Sequence, residues 1–72
     1  MVSEVVIDVE KIKELRAKTK KSMSDMSMAL GYKTPTGYWN IEQGKRKVSI
    51  DSLYRMCKVF GVHMEELIRE NN

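Results

Sequence analysis

Helix-capping residues divide this sequence into short segments, and this feature constrains the fold most. The hydroxyls of Ser22 and Ser49 can accept hydrogen bonds from the first free N–H groups of a helix. Asp25 follows Ser22 by three residues, the spacing of a capping box. Thr34 is followed by Pro35, and proline is favoured at the first position of a helix. The sequence therefore predicts helix starts after residues 22, 34 and 49.

Apolar residues recur at helical spacing after each predicted start. Asp8 predicts a first helix, and a short fifth helix is predicted after Gly61. The stripe of the fourth helix includes Ile50 and Cys57. The other predicted core positions are Ile12, Leu15, Met26, Leu30, Tyr38, Ile41, Leu53, Met56, Phe60, Leu67 and Ile68. Such short helices need a shared core, so we predict an all-α, compact five-helix domain over residues 9–70.

The first eight residues form a separate β-branched stretch. Val2, Val5, Val6 and Ile7 do not alternate cleanly with polar residues, so we describe residues 1–8 as a short N-terminal arm. Together with the fifth helix, the arm offers apolar surface for a homodimer. A disordered arm on a monomer is the alternative.

The residue types exclude several function classes. A chain of 72 residues is one small domain, and its single cysteine excludes an internal disulfide. It has one histidine, so it lacks the ligands of a zinc site and the groups of a catalytic triad. We therefore predict no enzyme activity, no cofactor and no small-molecule substrate. The chain has no apolar run that could span a membrane and does not begin like a secretory signal, so we expect a cytoplasmic protein.

Positive charge is concentrated in the middle of the chain. Residues 16–47 hold eight basic and two acidic side chains, whereas the whole chain has a net charge of +3. This distribution suggests a surface that faces a polyanion. A solvated lysine-rich surface that binds nothing explains the charge equally well.

The most specific motif is Ile41-Glu42-Gln43-Gly44-Lys45-Arg46, followed by a capped helix that ends at Phe60-Gly61-Val62. Together with the capped segment 22–31 and residues 65–68, it resembles the phage repressor/Cro-like (XRE-type) helix-turn-helix family over residues 9–69. The resemblance implies a DNA-binding domain whose third helix enters the major groove of double-stranded DNA.

The resemblance also implies which residues contact DNA. Tyr38 and Ile41 point inward on the third helix, which leaves the other positions facing outward. The predicted base contacts are Thr36, Gly37, Trp39 and Asn40. The predicted phosphate contacts are Ser22, Lys33, Thr34, Lys45, Arg46, Lys47 and Ser49. Trp39 is equally suited to partial burial against a neighbouring helix or a dimer partner.

The predicted function is a sequence-specific transcriptional regulator, a repressor, acting as a homodimer. Three departures from the family pattern favour a protein-interaction module, such as an antitoxin or anti-repressor, as the alternative. Met23 replaces a usual glutamine, the segment between Gly31 and Ile41 is one residue longer than usual, and Gly37 lies in the first turn of the third helix. A nonspecific nucleic-acid binder is a third possibility.

Overall fold

The structure is a computed structural model that describes residues 4–71. Its elements in chain order are β1 (Glu4–Ile7), α1 (Val9–Thr19), α2 (Met23–Leu30), α3 (Pro35–Glu42), α4 (Ile50–Phe60), a 3₁₀ turn (Met64–Glu66) and β2 (Ile68–Asn71). The four helices surround one core, and β1 pairs with β2 as a two-stranded antiparallel ribbon. Within this part of the chain, no helix has the length and apolar character needed to cross a membrane.

Most helix boundaries follow from the predicted caps. The Ser22 hydroxyl accepts from the Asp25 N–H, and the Ser22 N–H donates to the Asp25 carboxylate; each hydrogen bond is 3.0 Å long. This reciprocal pair is the predicted capping box. At the start of α4 the Ser49 hydroxyl accepts from the Ser52 N–H, without a reciprocal bond, and Gly31 and Gly61 end α2 and α4 in the left-handed conformation. These boundaries are confirmed.

The start of α3 uses a hydroxyl that the sequence did not indicate. Thr34 occupies the N-cap position, but its side chain makes no capping hydrogen bond. Instead, the Ser27 hydroxyl on α2 accepts from the Tyr38 N–H at 3.0 Å and donates to the Pro35 carbonyl at 3.1 Å. Because Ser27 is buried, these two bonds fasten α3 to α2 inside the domain.

The core consists of the predicted apolar stripes, with two differences. Most of the predicted core positions are buried, whereas Ile68 and Cys57 are half-buried against the core and Ile50 is exposed. The placement of Ile50 on the core stripe is wrong, because its side chain is 73% exposed. Ile50 is the first residue of α4, where no preceding helical turn covers it.

One buried ion pair joins α1 to α3. Arg16 binds both carboxylate oxygens of Glu42, with Nε–Oε2 at 2.6 Å and Nη2–Oε1 at 3.2 Å. The Glu42 side chain is 2% exposed and the Arg16 side chain 24%. A carboxylate this buried needs its charge partner, so the pair fixes the end of α3 against α1. Burial raises the pKa of the neighbouring Tyr38 hydroxyl, which therefore stays neutral.

The predicted fifth helix is absent from the described part of the chain. Residues 64–66 form only a 3₁₀ turn, and Ile68 begins β2. Ile68 lies opposite Ile7 in the antiparallel register. Pairing with β1 satisfies backbone groups of this segment, which the one or two turns of an isolated helix would not do as well. The all-α assignment is therefore corrected to four helices with a small sheet.

The N-terminal arm is not a separate segment over its described residues. Residues 4–7 form β1, and the Asp8 N–H extends the ladder by donating to the Leu67 carbonyl at 2.9 Å. Ile7 packs against the core. Residues 4–8 of the predicted arm are therefore part of the folded domain, while residues 1–3, which include Val2, lie outside the described residues.

Candidate nucleic-acid interface

The side of α3 away from the core presents polar and amphipathic groups. Tyr38 and Ile41 are buried, as predicted, whereas Thr36 and Trp39 are exposed and Asn40 is half-buried. Residues at i, i+3, i+4 and i+7 share one face of a helix, so Thr36, Trp39, Asn40 and Gln43 lie together. The side-chain amides of Asn40 and Gln43 each offer a hydrogen-bond donor and an acceptor, the combination that pairs bidentately with an adenine edge.

Gln43 was missed by the sequence reasoning. It is exposed at the C-cap of α3. Its spacing of seven residues from Thr36 was a usable signal, because residues two helical turns apart lie above one another.

Gly37 faces Tyr32, which stands at the turn between α2 and α3. A Cβ atom at Gly37 would lie 2.6 Å from Cγ and 2.7 Å from Cβ of Tyr32. The Arg46 guanidinium lies over the Tyr32 ring, 4.4 Å from the ring centroid. Gly37 thus accommodates an aromatic ring that also positions one of the predicted phosphate contacts. Tyr32 was not singled out from the sequence.

Gly37→Ala is expected to lower the free energy of unfolding by about 1 kcal/mol. The new methyl group would overlap atoms of Tyr32 near its backbone, and such overpacking costs roughly 1–3 kcal/mol. The higher helix propensity of alanine than of glycine offsets only about 1 kcal/mol of this overpacking cost. Urea denaturation measures the difference. Thr36→Ala, an exposed change in the same helical turn, is the control and should be nearly neutral; a stabilised Gly37→Ala variant would contradict the packing argument.

Exposed basic side chains precede and follow α3 in the chain. Lys45 lies over the Trp39 ring with Nζ 5.1 Å from the centroid, and its N–H donates to the Asn40 carbonyl. Lys33 is exposed in the turn before α3. Lys47, which is also exposed, lines a cleft next to β1. These cations lie before and after α3 in the chain, and Lys45 contacts Trp39 on its outward face.

The helix N-termini predicted to contact phosphates differ in which hydrogen-bonding groups remain free for a phosphate. At α2, the Asp25 carboxylate holds the Ser22 N–H, and this hydrogen bond lowers the pKa of Asp25. A negative charge of the protein itself thus stands at that N-terminus. At α3, the exposed Thr34 hydroxyl makes no capping bond. At α4, Ser49 is exposed while its hydroxyl accepts from the Ser52 N–H.

The last groups to place are Cys57 and the possible metal ligands of the described residues. Cys57 is half-buried, and burial raises the pKa of its thiol, which disfavours the reactive thiolate. Among the described residues, no group of three or more His, Cys, Asp or Glu side chains could hold a metal ion.

Comparison with known proteins agrees with this geometry. A sequence profile of the Helix-turn-helix family matches residues 12–67, which is more than half of the chain. The chain therefore belongs to this XRE-type helix-turn-helix family, a family of DNA-binding regulatory domains. A search of curated proteins and a search of solved structures each found no significant match.

Proposed function

We propose that the protein is a sequence-specific transcriptional repressor that reads the major groove with the exposed face of α3. The observation that carries the proposal is the grouping of Thr36, Trp39 and Asn40 on one accessible face, next to Lys45. A helix of this width fits the major groove, where base edges present a distinguishable pattern of donors and acceptors. The buried ion pair and the Ser27 bonds hold that face on a rigid support.

The proposed contacts divide into two kinds. The Asn40 amide is suited to an adenine edge, and Thr36 to a base or a thymine methyl group. Trp39 is suited to a sugar or a methyl group. Lys33, Thr34, the basic residues 45–47 and the serines at the starts of α2 and α4 are proposed to bind phosphates, which fix position without reading sequence. The capping box makes Ser22 the least available of these.

We further propose that the repressor binds as a homodimer to a site with two-fold symmetry. One domain of this size contacts few base pairs, and a dimer doubles the number that is read. Cytoplasmic location and the absence of a small-molecule substrate belong to the same proposal.

Asn40→Ala and Lys45→Ala are expected to affect DNA binding differently. Asn40→Ala should weaken binding to the preferred site by roughly 1–3 kcal/mol and binding to unrelated duplexes less, because a base contact is lost. Lys45→Ala should weaken all duplexes similarly and lower the slope of log affinity against log salt by about one. Fluorescence anisotropy at several salt concentrations measures both, after selection of the preferred site from a random pool.

Lys58→Ala is the control for Lys45→Ala. It also removes one positive charge, but from α4, where the Lys58 side chain lies over Tyr54. It should leave the preference between duplexes unchanged. If Asn40→Ala weakens every duplex equally, α3 does not read bases. If the wild-type chain shows no salt-dependent binding to any duplex, the protein-interaction module becomes the better account of the fold.

A further inference from the structure

Two aromatic rings each lie under one of the consecutive cations that follow α3. The Lys45 ammonium is 5.1 Å from the centroid of the Trp39 ring, and the Arg46 guanidinium is 4.4 Å from the centroid of the Tyr32 ring. Both distances are within the range of a cation–π interaction. Residues 45 and 46 are otherwise exposed side chains that would be free to adopt many rotamers. The rings therefore give each cation a defined position.

The two rings lie on opposite flanks of α3. Tyr32 contacts the helix at Gly37, where a Cβ atom would lie 2.6 Å from Cγ of the Tyr32 ring. Gly37 and Trp39 are two positions apart on the helix, and this spacing separates their directions by about 200°. The outward face with Thr36 and Asn40 lies between these two directions. The two cations are therefore held on either side of the outward face.

Backbone hydrogen bonds fix the segments that carry the rings and the cations. The Tyr32 N–H donates to the Ser27 carbonyl at 2.8 Å, and Tyr32 packs against the core. The Lys45 N–H donates to the Asn40 carbonyl at 2.9 Å, which turns the chain back at the end of α3. Among the described residues, no carboxylate forms a salt bridge with Arg46. Its guanidinium can therefore rest its face on a ring and offer its N–H groups to an anion.

We infer that the two rings position their cations to bind phosphates of opposite DNA strands. Tyr32 is the positioning residue for Arg46 on one side of the groove. Trp39 has the same role for Lys45 on the other side. The inference rests on the proposed function, in which α3 lies in the major groove.

The dimensions of the helix and the groove assign one strand to each cation. A helix with its side chains is about 10–12 Å across and the major groove is about 12 Å wide, so each flank of the helix faces the phosphates of one strand. A cation already held on a ring loses less rotamer freedom when it binds a phosphate. Each ring thus strengthens a phosphate contact without reading sequence.

Proton NMR of the free protein tests the position of Arg46 without DNA. Protons above the face of an aromatic ring resonate upfield of their ordinary positions, so the side-chain protons of Arg46 should be shifted upfield in the wild type. Tyr32→Leu should abolish this shift, whereas Tyr32→Phe, which keeps the ring, should retain it. Lys58, which lies over Tyr54 on α4, is the internal control and should keep its own shift in both variants.

Affinity measurements separate a positioning role of Tyr32 from a merely structural one. Tyr32→Leu should weaken binding to every duplex roughly two- to fivefold, which corresponds to an exposed cation–π contact, and should leave the preference between duplexes unchanged. Tyr32→Phe should bind like the wild type. Adding Tyr32→Leu to Arg46→Ala should cause no further loss, because the ring acts through the guanidinium. Tyr54→Leu, which removes the ring under Lys58, is the matched control and should bind like the wild type.

Neutralising single phosphates tests the assignment of strands. Each phosphate of the preferred site, selected from a random pool, is replaced in turn by an uncharged methylphosphonate, and the affinities of the wild-type, Arg46→Ala and Lys45→Ala chains are compared. The wild type should lose affinity at each contacted phosphate. Within one half-site, Arg46→Ala should become insensitive to replacement of a phosphate in one strand, and Lys45→Ala to replacement of a phosphate in the other strand.

Three results would overturn the inference: alanine variants that lose sensitivity to phosphates of the same strand, Arg46 protons that do not respond to Tyr32→Leu, or a loss from Tyr32→Leu that adds fully to that from Arg46→Ala. Any of these results with sequence-specific binding intact would leave the proposed function standing. A chain that binds no duplex would contradict the proposed function and the inference together.

Discussion

Arg16→Met is expected to lower the free energy of unfolding by about 3 kcal/mol. The substitution leaves the Glu42 carboxylate, whose side chain is 2% exposed, without its charge partner. Removing one partner of a buried ion pair costs roughly 3–5 kcal/mol, because the remaining charge is buried and uncompensated. Because Arg16 is partly exposed, we expect a cost at the lower end of this range. Methionine retains most of the apolar length, so the change tests charge and hydrogen bonding more than packing.

The control for Arg16→Met is Arg55→Met on α4. Arg55 pairs with Asp51 at 3.5 Å, but both side chains are exposed, at 49% and 78%. Exposed pairs of this kind contribute roughly 0–1 kcal/mol. Chemical denaturation monitored by Trp39 fluorescence compares the two variants. Equal losses would show that the pair between α1 and α3 carries no special stability.

Leu53→Ala is expected to destabilise the domain by roughly 2–5 kcal/mol. Leu53 is buried in α4 within the shared core, so truncation removes apolar contacts and leaves a cavity. For a domain of 72 residues, a loss of this size is a large part of the whole stability. Thermal unfolding at low protein concentration measures it without a contribution from dimers.

Ile50→Ala provides the matched control on the same helix. Ile50 is exposed, so its truncation should change the stability by less than about 0.5 kcal/mol. A loss for Ile50→Ala as large as that for Leu53→Ala would contradict the assignment of the buried face of α4.

The helical part of the fold could be predicted because its signals are local. The hydroxyl of Ser22 and the carboxylate of Asp25 act on N–H groups three residues away or closer, and this reach is visible in the sequence. The stripe of Leu53, Met56 and Phe60 likewise depends only on helical spacing. The outward face of α3 could be predicted because Tyr38 was expected to point inward. Gln43 lies on the same face but was not among the predicted contacts.

The ribbon could not be predicted in the same way. Val5 and Glu70 are opposite each other in the sheet, but nothing near either residue in the sequence signals the pairing. The terminal stretch that contains Ile68 was assigned to a helix because its apolar spacing also fits one. Short apolar segments are ambiguous between helix and strand until a partner strand is known.

Contacts between elements explain the remaining differences. Thr34 is a good capping residue, yet the Tyr38 N–H bonds to Ser27 because tertiary packing brings that hydroxyl closer. Gly37 departs from the family pattern, and the reason lies with Tyr32, five residues earlier in the turn before α3. In each case the deciding atom belongs to a different element, which local propensity does not report.

The position of the ribbon has a consequence for the order of events during folding. β1 and β2 pair residues that lie about sixty positions apart, and the entropic cost of closing a chain grows with the length of the loop. The helices form mostly through nearer contacts, and only their assembly brings the two strands together. The ribbon therefore completes folding and does not nucleate it.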